Sequence, residues 1–519
     1  MAQACHQEIQ SMLIPRLIRL SFRRSAPAAC SWTGAIASVC VSAAISGCVV
    51  GPNFQRPAPP AQAGYAPGAP PARTEDARTS GGDAQVFDQG ADVPGAWWTL
   101  FGSPALNTLV DQALKVNPDL QSAQAALQSA NETYLAQRGS LWPSAGINYD
   151  LSRQQMSSTL APPLNSTAQI YTLHTPQLTI SYTPDVFGGV HRQIESAAAQ
   201  AESQRFQTEA AYLTLTSNLV AAAIQEASLR DQIDAAQRSI KLNADILALT
   251  QHQRGLGEVS AVEVAAQEAA LAQATQALPP LRKALEQQRD LIAALCGGFP
   301  NHPGAEISSL SALQLPRDLP ETLPSKLVDQ RPDVRAAEAN LHAASAGVGV
   351  AIAARLPSFP LTANGGALAE TFPALFSPGN AFWTLAVNAT QPVFEGGALL
   401  HKQRAAQATF AQTQAQYRST VITAFQNVAD VLHALDEDAR TLQAAAATEA
   451  ATDRSLRIAR LQLAHGQINS IAMLNAETTD ETAVVALVQA RAARFADTAA
   501  LFQALGGGWW NRSDTVVKN

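Results

Sequence analysis

Apolar and polar positions along this chain follow helical spacing, then a period of two, then helical spacing again, and the second half repeats the first. Ala123, Leu127 and Ala130 open one copy; Ala337, Leu341 and Ala344 match them in the other. Each opening helix starts at Pro-Asp, where proline suits the first helical position, and stops before a second proline, Pro143 or Pro357. The spacing predicts helices from Asn117 to about Gly139 and from Arg331 to about Ala354. Then the period changes. Ala145, Ile147, Tyr149 and Leu151 alternate with Gly146, Asn148, Asp150 and Ser152, and Leu178, Ile180 and Tyr182 with Gln177, Thr179 and Ser181. The second copy sets Phe359, Leu361 and Ala363 against Thr362 and Asn364, and Trp383, Leu385, Val387 and Ala389 against Thr384, Asn388 and Thr390. Strands of about ten residues with one apolar and one polar face have the length that crosses a bilayer in a barrel. A half-buried strand of a soluble sandwich shows the same alternation.

Each strand pair ends at a glycine corner, Val186-Phe187-Gly188-Gly189 or Val393-Phe394-Glu395-Gly396-Gly397. Residues 190–254 and 398–465 then contain neither Pro nor Gly. At 1.5 Å per residue each makes a rod of roughly 100 Å, which needs packing partners along its length. Candidate seams are Ile233, Ile240 and Leu247 in the first rod, and Val421, Phe425, Val428, Leu432 and Leu435 in the second. Both rods turn back at glycine, through 254–260 and 465–470, into return helices 261–295 and 471–505. Pro279-Pro280 should kink the first return helix. Four strands cannot close a barrel alone, and three chains would supply twelve. The expected fold is therefore mainly α, with long antiparallel helical hairpins, four barrel strands per chain and two internal repeats.

Composition fits long helices: aromatics are 6% and charged residues 15%, with a formal charge of −7 that gives no basic surface for nucleic acid. The N-terminal region reads as a leader. Arg16, Arg19, Arg23 and Arg24 precede a small, apolar, uncharged run to Gly47, with Met12 an alternative start, and Ile45-Ser46-Gly47-Cys48 looks like a lipobox. The other reading is a short membrane anchor with an incidental cysteine. Val49 rather than Asp after the cysteine implies outer-membrane sorting of such a lipoprotein. The mature chain would keep only Cys48 and Cys296, so it has no disulfide framework, and Cys296 reads as a small buried residue. The expected organisation is a signal peptide at 1–47 and a lipid-anchored, extended or disordered tether at 48–95. The first repeat covers 96–298, a connector 299–330, the second repeat 331–510 and a tail 511–519.

No GxSxG, HExxH, Walker loop or paired CxxC occurs, and the nine histidines share no metal-ligand spacing, so no enzyme is expected. Asp436-Glu437-Asp438 suits either a cation-attracting lumen patch or a solvated helix face. Hairpin rods with a lipid anchor fit a transport duct or a structural coiled-coil spacer. The four alternating strands discriminate between them, because a spacer needs none.

Cys48-Val49-Val50-Gly51-Pro52-Asn53, Trp97-Trp98 with Phe101, Asn117-Pro118-Asp119-Leu120, Arg331-Pro332-Asp333-Val334, Leu356-Pro357-Ser358 and Gln391-Pro392-Val393-Phe394 occur in an order that resembles the TolC-like outer-membrane efflux factors, in the OprM and NodT lipoprotein branch. The resemblance implies a homotrimer with a 12-stranded barrel in the outer membrane and a helical tunnel in the periplasm. It implies a passive exit duct for drugs or toxic small molecules, with type I protein secretion as the other use of such a duct. Partners would be a periplasmic adaptor and an inner-membrane pump, most simply of the RND type. Docking would fall on the turns, at Gly255, Gly257, Glu258, Gly466, Gln467 and Ser470. The periplasmic gate would lie at Ala472, Met473, Leu474 and Asn475, where the family often carries carboxylates and this chain carries none. No cofactor or metal is implied, only diacylglycerol and an N-acyl chain (palmitate) on Cys48.

Overall fold

The computed structural model describes residues 49–61, 64–65, 72–155, 170–301 and 305–512, all within one compact unit, Val49–Asn519. Cys48 lies outside the described residues. Helices are α1 (Pro104–Val116), α2 (Pro118–Gly139), α3 (Gly189–Gly255), α4 (Ala261–Leu295), α5 (Pro324–Gln330), α6 (Pro332–Ala353), α7 (Ala398–Ala464) and α8 (Ser470–Ala504). Strands are β1 (Val86–Gln89), β2 (Ser144–Gln155), β3 (Ile170–Tyr182), β4 (Asp318–Glu321), β5 (Leu361–Ala367) and β6 (Ala381–Val387).

The main helices match in length between the two halves. Both rods have 67 residues and both return helices 35. Asn117 caps α2, its side chain accepting from the Leu120 N–H at 3.0 Å, while Arg331 occupies the same place before α6 without a side-chain cap. β2, β3, β5 and β6 form one antiparallel sheet in that order, leaving β2 and β6 as its edges.

The main core lies midway along the hairpins. Trp97 stacks on Phe502 at 5.3 Å between ring centroids and meets Trp98 and Phe101 edge-on. Phe495, Leu219, Leu310 and Leu319 fill the same cluster. α3 packs on α4, α6, α8 and α2, and α7 packs on α8 and α6. Of the expected seams, Ile233, Val421, Val428 and Leu435 are buried, whereas Ile240 and Leu247 are half-buried. The buried line on the lower half of α3 is instead rich in polar groups, including Gln232, Ser239, Asn243 and Thr250.

Two expectations are corrected, for the tether and for the proline pair. The later part of the tether is folded: β1 pairs in parallel with β4, and Phe87 and Val93 are buried in the main core. Fully buried Arg494 holds this stretch, donating to the Asp83 carbonyl at 2.7 Å, the Gly82 carbonyl at 3.3 Å and Thr74 Oγ1 at 3.0 Å. The connector is folded as well, because Leu310, Leu313, Leu319 and Leu327 need cover and bring β4 and α5 onto the core. Pro279 and Pro280 do not interrupt α4, which is helical throughout. The carbonyls they leave without N–H partners belong to Thr275 and Gln276 on an exposed face, where water can replace the lost bonds.

Candidate functional site

The strand register shows what the sheet can touch. Ala145 faces Ile180, Ile147 faces Leu178, Ile180 also faces Ala363, and Ala363 also faces Leu385. Residues opposite one another share a face, so all four apolar stripes merge into one surface. The other face carries Asn148, Gln177, Thr179, Thr362, Asn364 and Thr384 by the same register. Ile147 is 83% exposed, Trp383 81% and Leu385 70%. An apolar surface of that extent on a monomer marks a membrane or partner contact.

At the opposite end of the rods, both turns use one hydrogen-bond pattern. The Gly257 N–H donates to the Arg254 carbonyl at 2.9 Å and the Glu258 N–H to the Gln253 carbonyl at 2.9 Å. In the second turn, the Gly466 N–H donates to Leu463 at 3.0 Å and the Gln467 N–H to Gln462 at 2.8 Å. This is the Schellman termination, which needs a left-handed residue; Gly257 and Gly466 supply it at φ 79° and 67°. The next helices are capped at once: Ser260 and Glu263 form a reciprocal capping box, and Asn469 Oδ1 accepts from the Ala472 N–H at 2.9 Å.

Of the residues suggested for docking, Gly255, Gly257, Glu258, Gly466 and Gln467 are exposed at the tips, and Gly255 is simply the last residue of α3. Ser470 is buried beneath its turn and presents nothing to a partner. Exposed Leu256, Val262, Leu461 and Ile471 surround the two turns, an apolar collar missed in the sequence because isolated surface leucines carry no periodic signal.

The four residues suggested for the gate separate. Ala472 and Asn475 are exposed and Leu474 is half-buried. Met473 is buried in a small cluster with Ile246, Leu456 and Ala459, where it packs the hairpins together. One turn on, Glu477 occupies the same buried stripe. Its Oε1 accepts from Asn243 Nδ2 at 2.5 Å, and Gln267 Nε2 donates to Asn243 Oδ1 at 3.0 Å, so the link reaches three helices, α8, α3 and α4. Ser239 donates to Glu481 at 2.9 Å beside it. Glu477 Oε2 is buried without a hydrogen-bond partner. Burial, reinforced by Glu481 and Asp480 and opposed by Arg460 and Asn243, raises its pKa to about 7. An acid at a stripe position where the helical period calls for an apolar side chain was the available sequence signal.

The acidic run in α7 also divides. Asp436 and Glu437 pair with Arg440 at 2.9 Å each. Asp438 turns toward Asp497 of α8, and burial together with that second carboxyl raises it to about 7.

The first glycine corner receives the N-terminal segment that starts at Val49. The Val50 N–H donates to the Phe187 carbonyl at 3.1 Å, and Val49 lies against Gly188. Buried Arg192 donates to Val50 O at 3.1 Å, to Asn53 Oδ1 at 2.7 Å and to Glu195 at 2.6 Å. Glu195 in turn meets His342 at 2.8 Å, and Phe54 stacks on that imidazole at 4.3 Å. Gly51 and Gly349 meet so closely that a side chain on Gly51 would collide with the Gly349 backbone.

A lipid-compatible sheet carried at one end of paired helical hairpins defines a membrane-anchored duct component. The chain belongs to the outer membrane efflux protein family, whose model matches residues 109–298 and 323–507. Among curated relatives, the probable efflux pump outer membrane protein SepC of Pseudomonas putida is 28% identical over 482 residues, covering 92% of this chain and 97% of its own. The pyoverdine export outer membrane protein OpmQ of Pseudomonas aeruginosa is 29% identical over 429 residues, covering 80% and 87%. Among solved structures, the Campylobacter jejuni CmeC outer membrane channel superposes with a TM-score of 0.79 at 22% identity, covering 90% of this chain and 97% of that one. The open state of the Neisseria gonorrhoeae MtrE outer membrane channel gives 0.76 at 26%, covering 90% and 100%. The protein is thus an outer-membrane efflux duct.

Proposed function

We propose that three copies form a passive exit duct that carries small toxic molecules across the outer membrane in a tripartite efflux system. The observation that carries the reading is uneven burial between the two repeats. α3 buries 26 of its 67 residues and α7 only nine of 67. α6 buries eleven residues by lying between α3 and α7, whereas its counterpart α2 buries Leu120 and Leu127 alone and lies on α3. The bare face of α7 matches what α2 and α4 of a neighbouring copy would cover, and the free edges β2 and β6 suit pairing between copies. Three copies give twelve strands with the apolar face outward in lipid and the polar face around a wet lumen.

The exposed turns with their apolar collar of Leu256, Val262, Leu461 and Ile471 suit a periplasmic adaptor, which couples the duct to an inner-membrane pump of the RND type. Acylation of Cys48 fits the docking of Val49 at the strand-to-helix corner, which sets the anchor at the membrane edge. The names of SepC and OpmQ, an efflux pump component and an exporter of pyoverdine, support small-molecule cargo over protein. Purified protein in a planar bilayer should give stepwise conductance, sediment as a trimer and carry acyl mass on its N-terminal peptide. A monomer without conductance overturns the duct; an unmodified Cys48 overturns the anchor alone.

A further inference from the structure

A cavity of about 480 Å³ lies between α3, α4 and α8, beside the buried link of Asn243, Gln267 and Glu477. Its apolar walls are short side chains. Ala270, Ala274 and Ala277 recur at helical spacing on α4, and Leu474, Val485 and Ala486 line the cavity from α8. The amides of Gln273 and Gln489 stand at its exposed rim.

The charge of the lining is of one sign. Glu477 and Glu481 lie one turn apart on the same face of α8, and no lysine, arginine or histidine joins them there among the described residues. Arg238 and Arg460 line a separate cavity, between α3, α7 and α8, with Glu449, Asp453 and Asp480. Glu477 is only 3% exposed, and Asn243 occupies its Oε1 while Oε2 has no hydrogen-bond partner. A buried carboxylate oxygen without a donor is costly, and a ligand that supplies the donor recovers that cost on binding. The lining hydroxyls do not supply it. Thr478 and Thr482 donate to the Leu474 and Thr478 carbonyls, at 2.9 and 2.8 Å, and keep only acceptor oxygens. Among the described residues, no group of three or more His, Cys, Asp or Glu side chains is arranged to hold a metal ion. An ammonium group brings three N–H donors on a single positive charge, and its bonds to carboxylates are about twice as strong as neutral ones.

We propose that this cavity binds a primary amine with an apolar body, its ammonium donating to Glu477 Oε2 and to Glu481 and its hydrocarbon lying along Ala270, Ala274 and Ala277. The site is complete within one chain and stands apart from the trimer reading. An occupant touches α3, α4 and α8 at once, so it also fastens the two hairpins to each other.

Full-length protein in detergent micelles, titrated calorimetrically with 4-phenylbutylamine against a blank of protein-free micelles, tests this. At pH 8 Glu477, raised to about 7, is ionised. One amine per chain should bind. The neutral 4-phenylbutanol should bind at least about tenfold more weakly. The amine should weaken as much on Glu477→Gln, which removes the charge, and on Ala277→Leu, which fills the cavity from an exposed position and leaves Glu477 in place. Glu437→Gln, at an exposed acid of α7, should leave binding unchanged. No heat beyond the micelle blank, or equal affinity for amine and alcohol in the parent protein, overturns the cation site. Undiminished binding by Glu477→Gln or Ala277→Leu places the amine elsewhere and also overturns it. Loss of binding by Glu437→Gln does the same, since it marks a response to surface charge alone.

Discussion

Replacing Glu477 with Gln isolates one proton in the bond between the two hairpins. The carboxyl sits near 7 instead of its ordinary 4.5, chiefly through burial. Charged neighbours reach it from two of the helices around it: Arg238 from α3, and Glu449, Asp453 and Arg460 from α7. Asp480 and Glu481 are on its own helix, and α4 contributes no charge there, only the neutral Gln267 and Gln273. When the hairpins part and Glu477 meets water, its ordinary value returns. The packed form holds the proton more tightly than the parted form, so packing is strongest below 4.5, weakens as pH rises toward 7 and is level above that. Between pH 5 and pH 8 the loss amounts to about 2–3 kcal/mol, one to two orders of magnitude in the opening equilibrium, as an upper figure. Gln keeps an acceptor for Asn243 and offers an N–H at the buried Oε2 position, so the variant should show no such slope. Hydrogen exchange of peptides covering 470–481, corrected for the intrinsic pH dependence of exchange, reads the opening directly. Protection in the parent protein that does not change between these pH values, or a slope that persists in Glu477→Gln, would refute the reasoning.

The remaining expectations concern the tips and the core. Gly466→Val places a β-branched residue at φ 67° in open space, so its cost is conformational, about 1–2 kcal/mol or more, without a steric clash. Resistance to a toxic substrate should be lost while trimers persist on native gels; unchanged resistance argues against a docking turn there. Arg494→Met leaves the Gly82 and Asp83 carbonyls without their donor and should weaken attachment of residues 72–85 by about 2–4 kcal/mol. Protease cleavage within that stretch should then accelerate at least 30-fold by that estimate, and an unaltered rate would show that β1 alone secures it.

The duplicated helices, the four strands and both turns were legible because their signals are local: a change of period, a proline at a helix start, a glycine at a left-handed position. The β1–β4 pair was not, since Val86–Gln89 is too short to show a period and its partner lies at 318–321, far along the chain. Composition made residues 72–95 look free, although Phe87, Val93 and Arg494 bind them down. At the proposed gate, position along α8 was legible but direction was not. Met473 and Glu477 face inward through the helical period, while Ala472 and Asn475 face out. A neutral sequence stripe also cannot tell a solvated acid from a buried one. Asp438 differs from Asp436 and Glu437 through its burial and through Asp497, 59 residues later, counting from 438 to 497.

The unequal cover of the two rods also divides how damage to them will show itself. Contacts of α3 with α6 lie within one chain and form at a rate indifferent to protein concentration, whereas under the proposed trimer the matching contacts of α7 require a second molecule. Equivalent lesions on the two rods should therefore part company on dilution. One on α3 lowers the melting temperature at every concentration. One on the bare face of α7 is tolerated when the protein is abundant and fails when it is scarce, which ties its severity in a cell to the level of expression.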